Sequence, residues 1–257
     1  MTSSSSTPRR STAGGRPILG LSQADFAVRE DGALQEIARF ERVRDLPIHV
    51  ALVLDVSASM APHLERAQAA ALSFLESTIG AQDRGAVITF NDHPWLAVRF
   101  TNDREALAGG LAGLKAERGT ALFDSLVFTL YCFNGVKGQR AALFLSDGRD
   151  ERSRFSFEQA LEFARRAGVA VYTIGLGEKI DKKSLERTAD ETGGRAFFPR
   201  NAEELPAIFA AVEDELRAKY LVAYQSTNTR GEPGFRTVEL TVERRGVEVK
   251  APRGYYP

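Results

Sequence analysis

Cysteine is almost missing from this sequence: Cys132 is the single one in 257 residues. No disulfide framework can close within the chain. Cys132 lies in the apolar helical pattern LVFTLYCFNG and is expected to be an inert core thiol. Net charge is lacking too, because 34 basic residues balance 34 acidic ones. That argues against a chain held to nucleic acid or to a membrane surface by bulk charge. No apolar run approaches the length of a membrane span. Residues 1–17, MTSSSSTPRRSTAGGRP, lack the apolar stretch of a secretion signal and are expected to be a disordered tail. As written, the chain is expected to be soluble and cytoplasmic. No G-x-x-x-x-G-K-[ST] motif is present, so nucleotide hydrolysis has no support. GLGEK, late in the chain, lacks the third glycine of a dinucleotide fingerprint and reads as a β–α turn.

What is present is a core. Hydrophobic residues make up 43% of the chain, and from Pro47 onward apolar strands alternate with amphipathic helices. IHVALVLD, GAVITF, RAALFLSDG and VAVYTIGLG read as buried strands, WLAVRF as an edge strand and RAFFP as a short one. Between them PHLERAQAAALSFLEST places Leu64, Ala67, Ala71, Phe74 and Leu75 along one helical face, and Asp103 caps the helix in DREALAGGLAGL. This alternation predicts a doubly wound α/β fold, a mostly parallel, Rossmann-like sheet flanked by helices, over residues 46–218. The flanks differ. Residues 18–45 read as a β-hairpin, FAVRE and LQEIARFERV about a DG turn. Residues 219–257 read as antiparallel strands expected to join that hairpin in one small β-rich appendage.

In a doubly wound sheet, ligands bind beyond the carboxyl ends of the strands. HVALVLDVSASM ends a buried strand by presenting Asp55, Ser57 and Ser59 in alternation. ERGTALFD brings Thr120, and LFLSDG brings Asp147, from loops on the same side. The set is two carboxylates and three hydroxyls. With no histidine or cysteine near these segments, zinc or copper is disfavoured. Short oxygen donors suit a hard cation, magnesium above all, with manganese or calcium as alternatives. The hydroxyls coordinate without adding charge, so the ion stays electrophilic towards a carboxylate from another molecule.

DVSAS, GTALFD and LSDG resemble, in order and in strand–helix context, the three segments of the metal-ion-dependent adhesion site of von Willebrand factor type A domains. The likeness runs from about Pro47 to Leu216. It implies Asp55, Ser57 and Ser59 from the first loop, Thr120 from the second and Asp147 from the third as metal ligands, some through water, and a protein partner that supplies an acidic oxygen. The flanking LSQADFAVREDGALQEIARFE and YLVAYQSTN with its following strands resemble bacterial VWFA-related proteins, common in acidobacteria and usually secreted or periplasmic. In those proteins another strand precedes the position of GRPILGL, where this sequence has its Ser-rich tail.

Around this set, Asp124 lies four residues after Thr120 on the same expected helical face, as a brace for a ligating hydroxyl or its loop, or as an ordinary carboxylate at a helix start. His93 in NDHPW is an ordinary turn residue or part of the ligand-facing rim. Arg149, Asp150 and Glu151 in DGRDERSRF form a solvated turn placed where partner selectivity would be read. The function expected is a non-enzymatic binding or adhesion module that captures an acidic group of a protein partner through a divalent metal. The alternatives are a magnesium-dependent hydrolase or phosphotransferase, for which no G-x-S-x-G elbow, nearby histidine or D-x-D nucleophile is present, and a scaffold in which the ion only braces the fold.

Overall fold

A computed structural model of the protein describes residues 2–10, 18, 20–43, 46–228, 234–244 and 247–257, with the backbone alone for 2–10, 43 and 248. In chain order the first strands are β1 (Thr2–Arg10), β2 (Phe26–Glu30), β3 (Ala33–Gln35) and β4 (Ile37–Val43). The middle of the chain runs β5 (Ile48–Asp55), α1 (Leu64–Thr78), β6 (Arg84–Phe90), β7 (Pro94–Thr101), α2 (Arg104–Leu111) and α3 (Leu122–Cys132). It continues with β8 (Gln139–Ser146), α4 (Phe157–Ala167), β9 (Ala170–Gly175), α5 (Lys182–Thr192), β10 (Ala196–Phe197) and α6 (Leu205–Arg217). The last strands are β11 (Lys219–Tyr224), β12 (Arg236–Val242), β13 (Val247–Lys250) and β14 (Gly254–Tyr255).

The central sheet follows from the apolar runs. A strand covered on both faces has no reason to alternate polar and apolar residues, and β5 has none between Val50 and Leu54. Val50, Leu52 and Leu54 point to the layer of α1, α2 and α6, where Ala67, Phe74, Leu107, Phe209 and Leu216 meet them. Ala51 and Val53 point the other way, to Leu126, Leu130 and Ala164 of α3 and α4. The six strands lie in the order β10-β9-β8-β5-β6-β7, parallel throughout except for β7, which runs antiparallel to β6 at the edge. β5 therefore sits where the winding reverses, with β6 on one side and β8 on the other. At that switch point the loops leaving β5 and β8 diverge to opposite faces and open a crevice. Asp103 caps α2 as its sequence position suggests, accepting from the amides of Glu105 and Ala106.

The flanks make two sheets rather than one. β2 and β3 form a hairpin through Asp31 and Gly32, both at positive φ (46° and 82°), the backbone of a tight two-residue turn. The expected second arm divides after Gln35: β3 stays with β2, while β4 crosses to pair with β11. The resulting sheets, β13-β1-β11-β4 and β14-β12-β2-β3, close on a shared core of Leu21, Phe26, Val28, Tyr220, Val222 and Tyr224. A single sheet would leave that apolar face in water, so the chain divides to cover it. The Phe26 ring stands 5.1 Å from Phe40 and 5.7 Å from Tyr220 across the gap.

The Ser-rich start departs from its reading as a disordered tail. Thr2–Arg10 forms β1, antiparallel to both β11 and β13; residues 11–17 lie outside the described residues. The reason is in the backbone. The facing edges of β11 and β13 present unpaired N–H and C=O groups, and strand addition satisfies them whatever the side chains. The double sheet is held against the central domain by Lys250 Nζ on Asp190 Oδ1 at 2.6 Å and by the Arg166 guanidinium 4.1 Å above the Tyr256 ring. Among the described residues no helix is long and apolar enough to cross a membrane.

Candidate metal centre

Register brings the first and third segments together. Leu54 of β5 pairs with Leu145 of β8, so Asp55 and Ser146, the next residue of each strand, end side by side. Ser146 Oγ donates to Asp55 Oδ2 at 2.6 Å, and the Gly148 amide donates to Ser146 Oγ at 3.0 Å. The Ser57 amide donates to the other Asp55 oxygen at 2.9 Å. Ser57 Oγ and Ser59 Oγ lie 3.1 Å apart, the second of them on an exposed residue in the 3-10 turn Ala58–Met60.

The loop carrying Thr120 is stitched to both. The Glu117 amide donates to Val56 O at 2.8 Å and the Ala58 amide to Arg118 O at 3.1 Å, tying it to the end of β5. The Glu151 and Arg152 amides donate to Thr120 O at 2.8 and 3.0 Å, tying it to the loop after β8. Gly119 lies so close to the β6–β7 turn that a Cβ there would meet Asp92 Oδ1 at 2.9 Å. Asp92 Oδ1 accepts the Gly119 amide at 3.0 Å. Asp55, Ser57, Thr120 and Asp147 are all buried polar residues, at 1%, 1%, 4% and 5% exposure.

The electrostatics of this pocket fit a cation. Burial above all pushes the Asp55 carboxyl up, to about 6, against the hydrogen bonds from Ser146 and Ser57, and the charge of Asp147 adds to the rise. Two carboxylates held near each other out of water repel, and a dication between them would relieve both costs. Oxygen lone pairs remain uncommitted. Asp147 Oδ1 accepts the Arg149 amide at 3.0 Å, while no hydrogen bond among the described residues engages its second oxygen or the Thr120 hydroxyl, and both are open to a ligand entering the crevice. Among those residues no three of histidine, cysteine, aspartate and glutamate cluster as metal ligands. A site here would be two carboxylates completed by hydroxyls, a donor set for a hard ion.

The surrounding residues divide. Asp124 does not share a helical face with Thr120, because α3 begins at Leu122 and Thr120 precedes it. Asp124 Oδ1 instead accepts the Arg154 and Phe155 amides at 2.8 and 3.0 Å and so braces the loop after β8. Asp150 braces it from the other end, accepting the Phe123 amide at 3.2 Å in the first turn of α3 and the Ser153 hydroxyl. Arg149 and Glu151 are exposed on that loop. Arg149 Nε donates to Lys179 O at 2.9 Å, which leaves the rest of its guanidinium outward. His93 is exposed in the β6–β7 turn, beside Asp92 rather than in the cluster. Sequence reasoning passed over Ser146 and Asp92. The signal for Ser146 was a lone hydroxyl closing an otherwise apolar strand; Asp92 carried none beyond its place in a turn.

Gly148 makes the turn out of β8 at φ +79°, where a Cβ would lie 2.9 Å from Asp181 O and from Leu185 Cγ. Gly148→Ala is expected to cost about 1–3 kcal/mol and to lower the thermal midpoint by roughly 2–10 °C, read by calorimetry. An unchanged midpoint would mean the turn adapts freely.

Residues 49–211 match the family described as the von Willebrand factor type A domain. A Synechocystis sp. protein, the uncharacterized sll0103, is 29% identical over 169 residues, 63% of this chain and 40% of its own length, so the chain spans about two fifths of that relative. A von Willebrand factor type A protein from Catenulispora acidiphila superposes with a TM-score of 0.61 at 15% identity, over 90% of this chain and 72% of the other. Proximal thread matrix protein 1 from the mussel byssus, with a zinc-occupied MIDAS motif, superposes with a TM-score of 0.61 at 19% identity, over 72% of this chain and 49% of its own. Both structures share the fold described above. With nearly two thirds of its length matched, the chain belongs to the von Willebrand factor type A domain family.

Proposed function

We propose that the three-loop crevice holds a divalent cation through Asp55, Ser57, Ser59, Thr120 and Asp147 and uses it to capture an acidic group on a protein partner, without catalysis. The observation that carries this reading is the pair of oxygens, on Thr120 and Asp147, that no hydrogen bond of the described residues engages, on residues only 4% and 5% exposed and beside an Asp55 whose own charge is disfavoured. Oxygen donors favour magnesium, with manganese and calcium next; the zinc of the mussel protein makes zinc a necessary test ion. When bound, the ion supplies a position for an outside carboxylate, since two protein carboxylates do not saturate it. The rest is done by the chain. Ser146 and the Ser57 amide aim Asp55, while Asp124 and Asp150 set the loop that presents Arg149 and Glu151 at the rim.

Titration calorimetry of metal-stripped protein with magnesium is expected to give one saturable site, and magnesium at a hundred times its dissociation constant to add about 2.7 kcal/mol of stability. Thr120→Ala and Asp147→Ala should each weaken binding at least about tenfold, the loss of one coordinating group. Absence of heat and of any melting shift with magnesium, manganese, calcium and zinc alike would reject the site.

A further inference from the structure

We propose that the groove between β7 and α3 docks an extended, acidic and aromatic peptide of the partner, running from the metal crevice along the sheet edge; for the peptide's leading carboxylate this rests on the function proposed above. The groove encloses about 990 Å³ and is lined by Trp95, Leu96, Arg99 and Phe100 of β7 with Phe128 and Tyr131 of α3. Trp95 and Tyr131 are 70% and 72% exposed, the two most exposed large hydrophobic residues among those described. Two aromatics left in water on opposite walls of one groove are the usual anchors of a recognition surface.

Three further observations choose the occupant. Arg99, exposed on the groove wall, makes no ion pair or hydrogen bond among the described residues, so the groove carries one positive charge with no acidic side chain paired to it. An acidic group satisfies the charge, and apolar or aromatic side chains satisfy the walls. β7 is the outer strand of its sheet and pairs with β6 alone, so its outer backbone groups are open to an extended chain rather than a helix. The floor is rigid, with Phe100 packed 4.9 Å from the buried Phe133.

One end of the groove lies near the crevice. It begins at Pro94, directly after the turn whose Asn91 carbonyl accepts the Ala121 amide at 2.7 Å and whose Asp92 accepts the Gly119 amide, one on each side of Thr120. Pro94–Thr101 of β7 lie against Gly85–Phe90 of β6 with two register shifts, so the strand covers about 17 Å at roughly 3.4 Å per residue, the length of about six residues of extended peptide. One acid at the crevice end and a second facing Arg99, with apolar residues between, complete the match.

Trp95 is the sole tryptophan of the chain, so its fluorescence reports this groove directly. The probe is a phage-displayed library of random linear twelve-residue peptides, panned against the full chain in magnesium; enriched sequences are synthesised and titrated by Trp95 emission. The expected result is enrichment of sequences pairing acidic with aromatic residues, a saturable blue shift, and at least tenfold weaker binding to Arg99→Glu and to Tyr131→Ser, both with wild-type melting. Enrichment of nothing, or of peptides that leave Trp95 emission unchanged and bind Arg99→Glu equally well, overturns the proposal. Peptides that stay sensitive to Arg99→Glu in EDTA support the groove and reject a leading carboxylate on the metal. Magnesium-dependent peptides indifferent to Arg99→Glu reject the groove and leave the metal reading standing. Concentration-dependent self-association abolished by Tyr131→Ser, with no peptide enriched, would assign the groove to a second copy of the chain and overturn the peptide.

Discussion

Asp55→Asn is expected to stabilise the metal-free protein at pH 7 by about 1–3 kcal/mol while removing its response to magnesium. Asp55 is 1% exposed, and burial first, then the charge of Asp147, lifts its carboxyl to about 6 despite the Ser146 and Ser57 hydrogen bonds. In the unfolded chain it titrates near its ordinary value of about 3.9. Between these values the folded protein holds the proton that the unfolded chain has lost. Asp55 therefore favours folding below about pH 4, and that contribution declines as pH rises to about 6 and stays lost above it. At about 1.4 kcal/mol per pKa unit, the cost at neutral pH is at most about 3 kcal/mol. Asparagine removes the charge, keeps an acceptor for the Ser57 amide and lets the Ser146 hydroxyl reorient. Urea unfolding of both proteins, stripped of metal, should show the advantage of the variant growing from pH 4.5 to 7.5, and magnesium should reverse the ranking. A variant less stable at every pH would make Asp55 a hydrogen-bond hub and nothing more.

The opposite sign is expected in the double sheet. Glu30 is 2% exposed and accepts from Tyr224 Oη at 2.7 Å, Tyr255 Oη at 3.0 Å, Arg236 Nη1 at 3.2 Å and the Ser226 hydroxyl. Burial pushes its carboxyl up, but the donors from Ser226, Tyr224, Tyr255 and Arg236 together outweigh it and hold the group below the usual range. Its contribution is thus fully present above its unfolded pKa of about 4.3 and is lost as pH falls below that. Glu30→Ala should cost about 3 kcal/mol and lower the thermal midpoint by roughly 10 °C, because it leaves the buried Arg236 cation without its carboxylate, held by the Ser226 hydroxyl and the Asn228 carbonyl. The double variant Glu30→Leu with Arg236→Leu should lose less than the sum of its parts, since no unpaired charge remains. Additive losses would show that the two residues act independently.

How much of this was legible beforehand varies with the range of the interaction. IHVALVLD announced a strand buried on both faces because a solvated face would have demanded alternation. Leu64, Ala67, Ala71, Phe74 and Leu75 announced one face of α1, and all five are buried. DVSAS, GTAL and LSDG marked where strand ends carry oxygen, since an aspartate or serine closing an apolar run is a local feature. The division of LQEIARFERV was not legible. β3 and β4 read as one strand, and only their partners β2 and β11, the latter almost two hundred residues away, separate them. Thr2–Arg10 was misread for a related reason: backbone pairing leaves no mark in side-chain composition. The helical face expected to carry both Thr120 and Asp124 does not form, because the helix starts two residues after Thr120. Cys132 was expected in the core and is half-buried, lining the groove below Tyr131.

By itself the order of residues determined the layers of this protein and the kinds of atom offered at its strand ends, because burial periodicity and turn chemistry act over a few neighbouring residues. Only the tertiary structure decided which strand ends became neighbours, which hydroxyl steadies Asp55, and that one flank needed two sheets to close its core. Those outcomes depend on strand order and register, and both are set by the burial of whole faces at once rather than by any short segment.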